Sequence, residues 1–104
     1  MGVNMFIIKR TIAHPDAVSP DDASSFQRDV MAKLYHAQFT GRVQLLPYNH
    51  IMLYRGAEYI RVSKNPISTR SDGDIAIVTG SHPTVWCKTV HAAVIGALAY
   101  IGAM

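Results

Sequence analysis

The sequence predicts an α+β domain in two layers, with a mostly antiparallel sheet of four or five strands and two helices. An amphipathic helical stripe follows an N-terminal strand, short β-rich segments separated by turn residues fill the middle, and an uncharged helical stretch comes last. The predicted order is β-α-β-β-β-β-α, and helices that flank hairpin-joined strands cover one face of the sheet. A length of 104 residues suits one domain, so 1–104 is predicted to be a single unit.

The first two elements are a strand and a helix. The stretch NMFIIKRTI (4–12) is rich in β-branched residues and predicts a central strand. A helix is predicted over 20–39, because SPDD (19–22) offers a cap, a proline suited to the first helical position and two carboxylates for the positive end of the dipole. Gly41 is expected to end this helix. The apolar residues that recur at helical spacing are Ala23, Phe26, Val30, Leu34 and Ala37.

The middle of the chain predicts four strands. RVQLL (42–46) forms one, DIAIVTG (74–80) another, and HIMLYRGAEYIRVS (50–63) a hairpin whose Gly56-Ala57 turn is of type II′. A two-residue turn fixes the register of the hairpin. The predicted pairs are Arg55–Glu58, Tyr54–Tyr59, Leu53–Ile60, Met52–Arg61 and Ile51–Val62. Alternation then makes one face wholly apolar, formed by Ile51, Leu53, Ile60 and Val62.

The final segment predicts a helix from Thr84 to Met104, capped by Ser81 or Thr84. Its last sixteen residues contain no Lys, Arg, Asp or Glu. They would extend about 24 Å as a helix. Sixteen residues are fewer than the roughly 20 apolar residues that a helix needs to cross a bilayer. We therefore expect this helix to pack against protein, with no membrane contact.

Two stripes divide this predicted helix, and they leave two packing partners open. Glycine inside a helix costs about 1 kcal/mol relative to alanine, so Gly96 indicates that something approaches the backbone closely. Either the protein's own sheet packs on one stripe and its first helix on the other, or a second copy of the chain packs on the small stripe, which would make a homodimer. The bulky stripe comprises Cys87, Val90, Val94, Leu98 and Ile101. The small stripe, which is the candidate dimer interface, comprises Ala92, Gly96, Ala99 and Ala103.

Composition restricts the function classes only weakly. Charged residues make up 16% of the chain, which is low and favours an interface, and the net charge of +3 permits either nucleic acid or an acidic partner. The single Cys87 cannot form an internal disulfide, and the N-terminal stretch lacks the charge order of a signal peptide, so a cytoplasmic protein is expected. Neither metal-ligand spacing nor a phosphate loop is present, so no metal, cofactor or catalytic residue is expected.

The second face of the predicted hairpin is the candidate binding site. Two adjacent tyrosines beside an arginine can stack on bases or anchor a protein partner, and basic residues in the following loop extend the positive charge. The candidate partner-binding residues are Met52, Tyr54, Tyr59, Arg61, Lys64 and Arg70. An alternative stays open, in which a helix covers this face and the tyrosines are simply favourable cross-strand partners.

These observations favour a small non-enzymatic interaction or regulatory protein, an inhibitor or adaptor, whose partner is most readily another protein and which could form a homodimer. The first alternative is a nucleic-acid-binding module that uses Tyr54, Tyr59, Arg61, Lys64 and Arg70. The second is a thiol enzyme or metal site at Cys87 and His91, which lie four residues apart on adjacent turns of the predicted helix.

Overall fold

The computed structural model describes residues 7–8, 17–65 and 69–102, and it confirms the α+β class. Five antiparallel strands follow one another in chain order, a short sixth strand extends the sheet in parallel, and two helices lie on one face. The elements are β1 (Ile7–Ile8), α1 (Ser25–His36), β2 (Arg42–Leu46), β3 (His50–Arg55), β4 (Glu58–Lys64), β5 (Ile75–Val78), β6 (Val85–Cys87) and α2 (Val90–Tyr100). Of the predicted N-terminal strand, only Ile7–Ile8 falls within the described residues, and the predicted central position is wrong because β1 lies at one end of the strand order, beside β2.

The β3–β4 hairpin has the predicted register at every pair from Arg55–Glu58 to Ile51–Val62. Gly56 adopts a φ of 63°, as the first central residue of a type II′ turn requires. The hairpin lies in the middle of the sheet, because β2 pairs with β3 on one side and β5 pairs with β4 on the other. Its two faces therefore define the two sides of the molecule.

The predicted helix over 20–39 is two separate helical segments. Ser19 caps a single 3-10 turn over Pro20–Asp22, after which Ala23 and Ser24 return to extended backbone. Ser24 is the cap of α1 and forms a capping box with Gln27. The helix ends three residues early, because Gln38 adopts a φ of 61° and closes the last turn.

The predicted start of the last helix is wrong. Val85–Cys87 form β6, which pairs antiparallel with β5, and α2 begins only at Val90. Valine and tryptophan favour a strand, and Thr89 is the helix cap, accepting a hydrogen bond of 3.0 Å from the Ala92 N–H. Neither Ser81 nor Thr84 caps the helix. No described helix is long and apolar enough to cross a bilayer.

Both helices pack against the apolar face of the sheet and form one core. The predicted apolar residues of the hairpin lie inside this core, and each is at most 3% exposed. The largest fully buried side chains are Val30, Leu34, Val43, Leu45, Ile51, Leu53, Val62, Ile77 and Ile101. The opposite face of the sheet points away from both described helices, which removes the alternative that one of them covers the tyrosine pair.

A candidate binding face on the open side of the sheet

Alternation along the strands defines the side of the sheet that faces away from both helices, here named the open face. Its cross-strand rows follow from the register of β2–β6. The residues of the open face are Arg42, Gln44, Leu46, His50, Met52, Tyr54, Tyr59, Arg61, Ser63, Ala76, Val78 and Trp86. None of these strand positions carries Asp or Glu, whereas two carry arginine and three carry tyrosine or tryptophan.

Tyr54 and Tyr59 are a cross-strand pair, as predicted, with ring centroids 6.2 Å apart. Tyr54 is held in place, because the Arg42 guanidinium lies 4.6 Å from its ring centroid and its hydroxyl donates a 3.1 Å hydrogen bond to Gln44 Oε1. Tyr59 is 57% exposed. The pair therefore combines a fixed ring with a ring that is available to a partner.

Arg61 occupies the centre of the open face, between Met52 on β3 and Val78 on β5. Its Nε is buried and makes no hydrogen bond, and no salt-bridge partner for it occurs among the described residues. The side chain lines a cavity of about 180 Å³ together with Met52, Tyr59, Val78, Thr79 and Gly80. A guanidinium in this position has exchanged part of its hydration for apolar neighbours without gaining a counter-ion.

A second cavity, of about 300 Å³, adjoins the β2–β3 turn. Its lining includes Tyr48, His50, Ser63, Lys64, Ala76 and Trp86, and it is named here the Tyr48–Trp86 cavity. Tyr48 is 88% exposed. Its φ is 63°, a left-handed backbone conformation that is rare for a bulky residue. Burial, and secondarily the charge of Arg61, lowers the pKa of His50, so this imidazole is neutral at pH 7.

Arg70 has contacts within the protein, and its predicted part in partner binding stays a prediction. It forms a two-pronged ion pair with Asp72, with N–O distances of 2.9 Å, and its guanidinium lies 4.3 Å from the Trp86 ring centroid. The hydrogen bond from Arg70 keeps the pKa of Asp72 below its usual range. The charge of Arg70 is therefore compensated by Asp72. The contact of Arg70 with Trp86 connects this loop to β6.

The structure places the two members of the candidate thiol site on different elements. Cys87 ends β6 and His91 lies in the first turn of α2, so the predicted spacing on adjacent helical turns is wrong. Burial raises the pKa of the Cys87 thiol, which opposes thiolate formation. No cluster of three or more potential metal ligands occurs within the residues that the structure describes.

The small stripe of the last helix is partly packed against the sheet and partly exposed. A Cβ at Gly96 would lie 2.9 Å from Ile77 Cδ1, so the close approach inferred at this glycine is made by the protein's own sheet. Ala92 and Ala99 are exposed, and Ala103 lies outside the described residues. The pairing of two chains through this stripe stays a prediction.

Sequence reasoning missed three aromatic or imidazole side chains that line the Tyr48–Trp86 cavity. Trp86 was assigned to a helix, and helical spacing gave it no relation to β4. Tyr48 lies outside every predicted element, and His50 is the first residue of the predicted hairpin but was not among the candidate binding residues. Once β6 is recognised as a strand, alternation places Trp86 beside Ala76 on the open face, which was the available signal.

Comparison with protein-family models, with curated proteins and with solved structures finds no match to this chain. The geometry of the open face is therefore the basis for a functional assignment.

Proposed function

We propose that this chain is a non-enzymatic interaction module that binds an anionic macromolecule through its open face. The observation that carries the proposal is the position of Arg61, a cation with a buried and unpaired Nε at the centre of a face whose strand residues include no acid. The module would act by occluding or recruiting its partner.

Because the Arg61 Nε is buried without a hydrogen-bond partner, this residue favours a ligand that supplies hydrogen-bond acceptors. A buried donor without a partner costs on the order of 1–3 kcal/mol, and an arginine among apolar residues is normally paired. An anionic group in the adjoining 180 Å³ cavity could accept hydrogen bonds from the terminal nitrogens of this guanidinium. The absence of acid on the neighbouring strand positions avoids repulsion against such a group.

The rest of the open face has the composition of a binding surface. Tyrosine, tryptophan, arginine and methionine are enriched among the residues that contribute most to protein interfaces, and lysine and acidic residues are depleted there. Met52, Tyr59 and Trp86 provide apolar contact area around the central cation. The same set of side chains also suits a polyanion that carries aromatic groups.

The proposal can be tested by retention on an immobilised polyanion such as heparin. Arg61→Met removes the central cation, and Arg28→Met removes the same charge from the exposed surface of α1. We expect the wild-type protein to bind, the Arg61 variant to elute at clearly lower salt, and the Arg28 variant to elute close to wild type. Passage of the wild-type protein without retention, or equal elution of the two variants, would contradict the proposal.

A further inference from the structure

We infer that the anionic macromolecule is a single-stranded nucleic acid, one base of which lies in the Tyr48–Trp86 cavity; this inference rests on the proposed function. The cavity combines aromatic walls, a polar floor of mixed hydrogen-bonding character and an adjacent cation. Each of these features matches one part of a nucleotide.

The aromatic lining suits a flat ring. Tyr48 projects from its turn with 88% of its surface exposed, and Trp86 faces the same cavity while Arg70 lies over its ring. Every base has a π face, so stacking on such side chains is strong and tolerant of sequence. Bases in a duplex are already stacked on one another, whereas those of a single strand are free to enter a cavity.

The backbone of Tyr48 supports this assignment. Asparagine or glycine would adopt the left-handed conformation at lower cost, and the tyrosine gains almost nothing from burial in the free protein. The turn is nevertheless held firmly, because Gln27 Nε2 donates hydrogen bonds to the carbonyls of Leu46 at 2.7 Å and of His50 at 2.9 Å. A strained turn that presents an exposed ring is explained if the ring acts on a ligand.

The floor of the cavity distinguishes a base from a carboxylate. Ser63 can donate and accept hydrogen bonds, and the neutral imidazole of His50 offers one donor and one acceptor. A carboxylate only accepts, whereas the edges of a base present donors and acceptors together. The mixed floor therefore matches the edge of a base better than it matches a carboxylate.

Cations lie where the phosphates of such a strand would run. Lys64 lines the cavity at the end of β4. Arg61 lies two residues before Ser63 on the same face, a separation of about 6.8 Å along the strand. A phosphate that flanks the seated base can reach Arg61 without crossing an acidic residue of the open face, whereas alternation places the Cβ of Lys64 on the opposite side of β4, at the strand end.

The emission of Trp86 provides a direct test, because it is the only tryptophan in the chain. The probes are a single-stranded oligothymidylate, a DNA duplex of the same length and poly-glutamate of matched charge, each titrated at several salt concentrations. We expect the single strand to quench the emission and to bind more tightly than the duplex, with an affinity that falls as salt is added.

Two variants locate the binding site. Tyr48→Gly removes the ring while relieving the backbone strain, so it should fold as well as wild type and lower the affinity by about 5- to 150-fold. Lys64→Gln should weaken binding and reduce the slope of log affinity against log salt by about 0.7. The controls Tyr35→Ala and Lys33→Gln make equivalent changes on exposed positions of α1 and should bind like wild type.

The outcomes separate this inference from the proposed function. Binding of the oligothymidylate that both site variants weaken supports the inference. Binding of poly-glutamate without the oligothymidylate overturns it and leaves the proposed function intact. Equal binding of the oligothymidylate by Tyr48→Gly, Lys64→Gln and wild type places the nucleic acid elsewhere and also overturns it. If neither polyanion binds, both the inference and the proposed function fail.

Discussion

The side chain of Gln27 links the start of the first helix to the turn that carries Tyr48. Its Oε1 accepts a 3.0 Å hydrogen bond from the Ser24 N–H, and its Nε2 donates to two carbonyls of the β2–β3 turn. It is one of two buried polar side chains in the described part of the chain, and only 2% of it is exposed. One residue therefore satisfies a helix end and fixes a loop of the binding face.

Replacement of Gln27 by methionine keeps the size of the side chain and removes its hydrogen bonds. Two carbonyls then lose their donor, and we expect the free energy of unfolding to fall by about 2–3 kcal/mol. Urea denaturation would measure this, with Gln38→Met, on an exposed turn residue, as the comparison. A loss no larger than that of the comparison variant would show that Gln27 does not hold the turn.

His50 should make stability dependent on pH. Its pKa in the folded protein lies below the ordinary 6.5. On acidification the unfolded chain therefore takes up a proton first, and the free energy of unfolding falls as the pH is lowered from about 7 through 6.5 towards the folded-state pKa. Denaturation curves recorded across this window should show that His50→Gln loses part of the slope. An unchanged slope in the variant would refute the prediction.

At the scale of the elements, the turns decide which residues reach the open face. Gly73 precedes β5 with a φ of 126°, and a Cβ on it would collide with the Cys87 carbonyl oxygen. This close approach lets the loop after β4 fold back so that β5 and β6 pair beside β4. The close approach of Gly73 to the Cys87 carbonyl is thus next to β6, the strand that carries Trp86 to the cavity.

Two glycine substitutions distinguish the effect of the close approach at Gly73 from the effect of replacing a glycine in an open loop. We expect Gly73→Ala to lower the free energy of unfolding by about 2–4 kcal/mol, from backbone strain together with the collision. Gly80→Ala meets nothing within 4 Å and should be neutral or slightly stabilising. Thermal melts of the two variants provide the measurement. Similar melting temperatures would mean that the approach of Gly73 to β6 is not required.

The sequence was sufficient for the β3–β4 hairpin, where a local signal determines the pairing. The β3–β4 register was predicted pair by pair, because a glycine turn and strict alternation leave one solution. The face that carries Met52, Tyr54, Tyr59 and Arg61 followed from the same alternation. The strand character of Val85–Cys87 was not predictable in this way, because three residues have no period and β5 supplies their hydrogen bonds. The cavity beside Tyr48 depends on that pairing and so could not be predicted either.

The whole molecule has two unlike sides. The helices and the apolar face of the sheet form the core, while the open face carries arginines with aromatic residues and, on β2–β6, no acid. Charge on that side lowers the stability of the free protein, since Arg61 has no counter-ion among the described residues. Stability and affinity are therefore expected to respond in opposite directions to a change at the centre of this face.

The Arg61→Met variant tests that opposition. Removal of a partly buried, unpaired cation should raise the free energy of unfolding by about 1 kcal/mol, even though retention on a polyanion falls. Arg28→Met, at an exposed helix position, should change stability by less than about 0.5 kcal/mol. Chemical denaturation of both variants gives the comparison. A destabilised Arg61 variant would instead assign this arginine a structural role.

The position of α2 after every strand has a consequence for synthesis in the cell. A hairpin and its sequential neighbours can pair while the chain is still emerging, because each strand contacts the one made just before it. The side chains that close the core over β4 and β5 come from α2, through Ala93, Val94, Ala97 and Leu98, and from its C-cap Ile101. Until α2 has been synthesised, the nascent meander exposes the apolar surface that these residues cover.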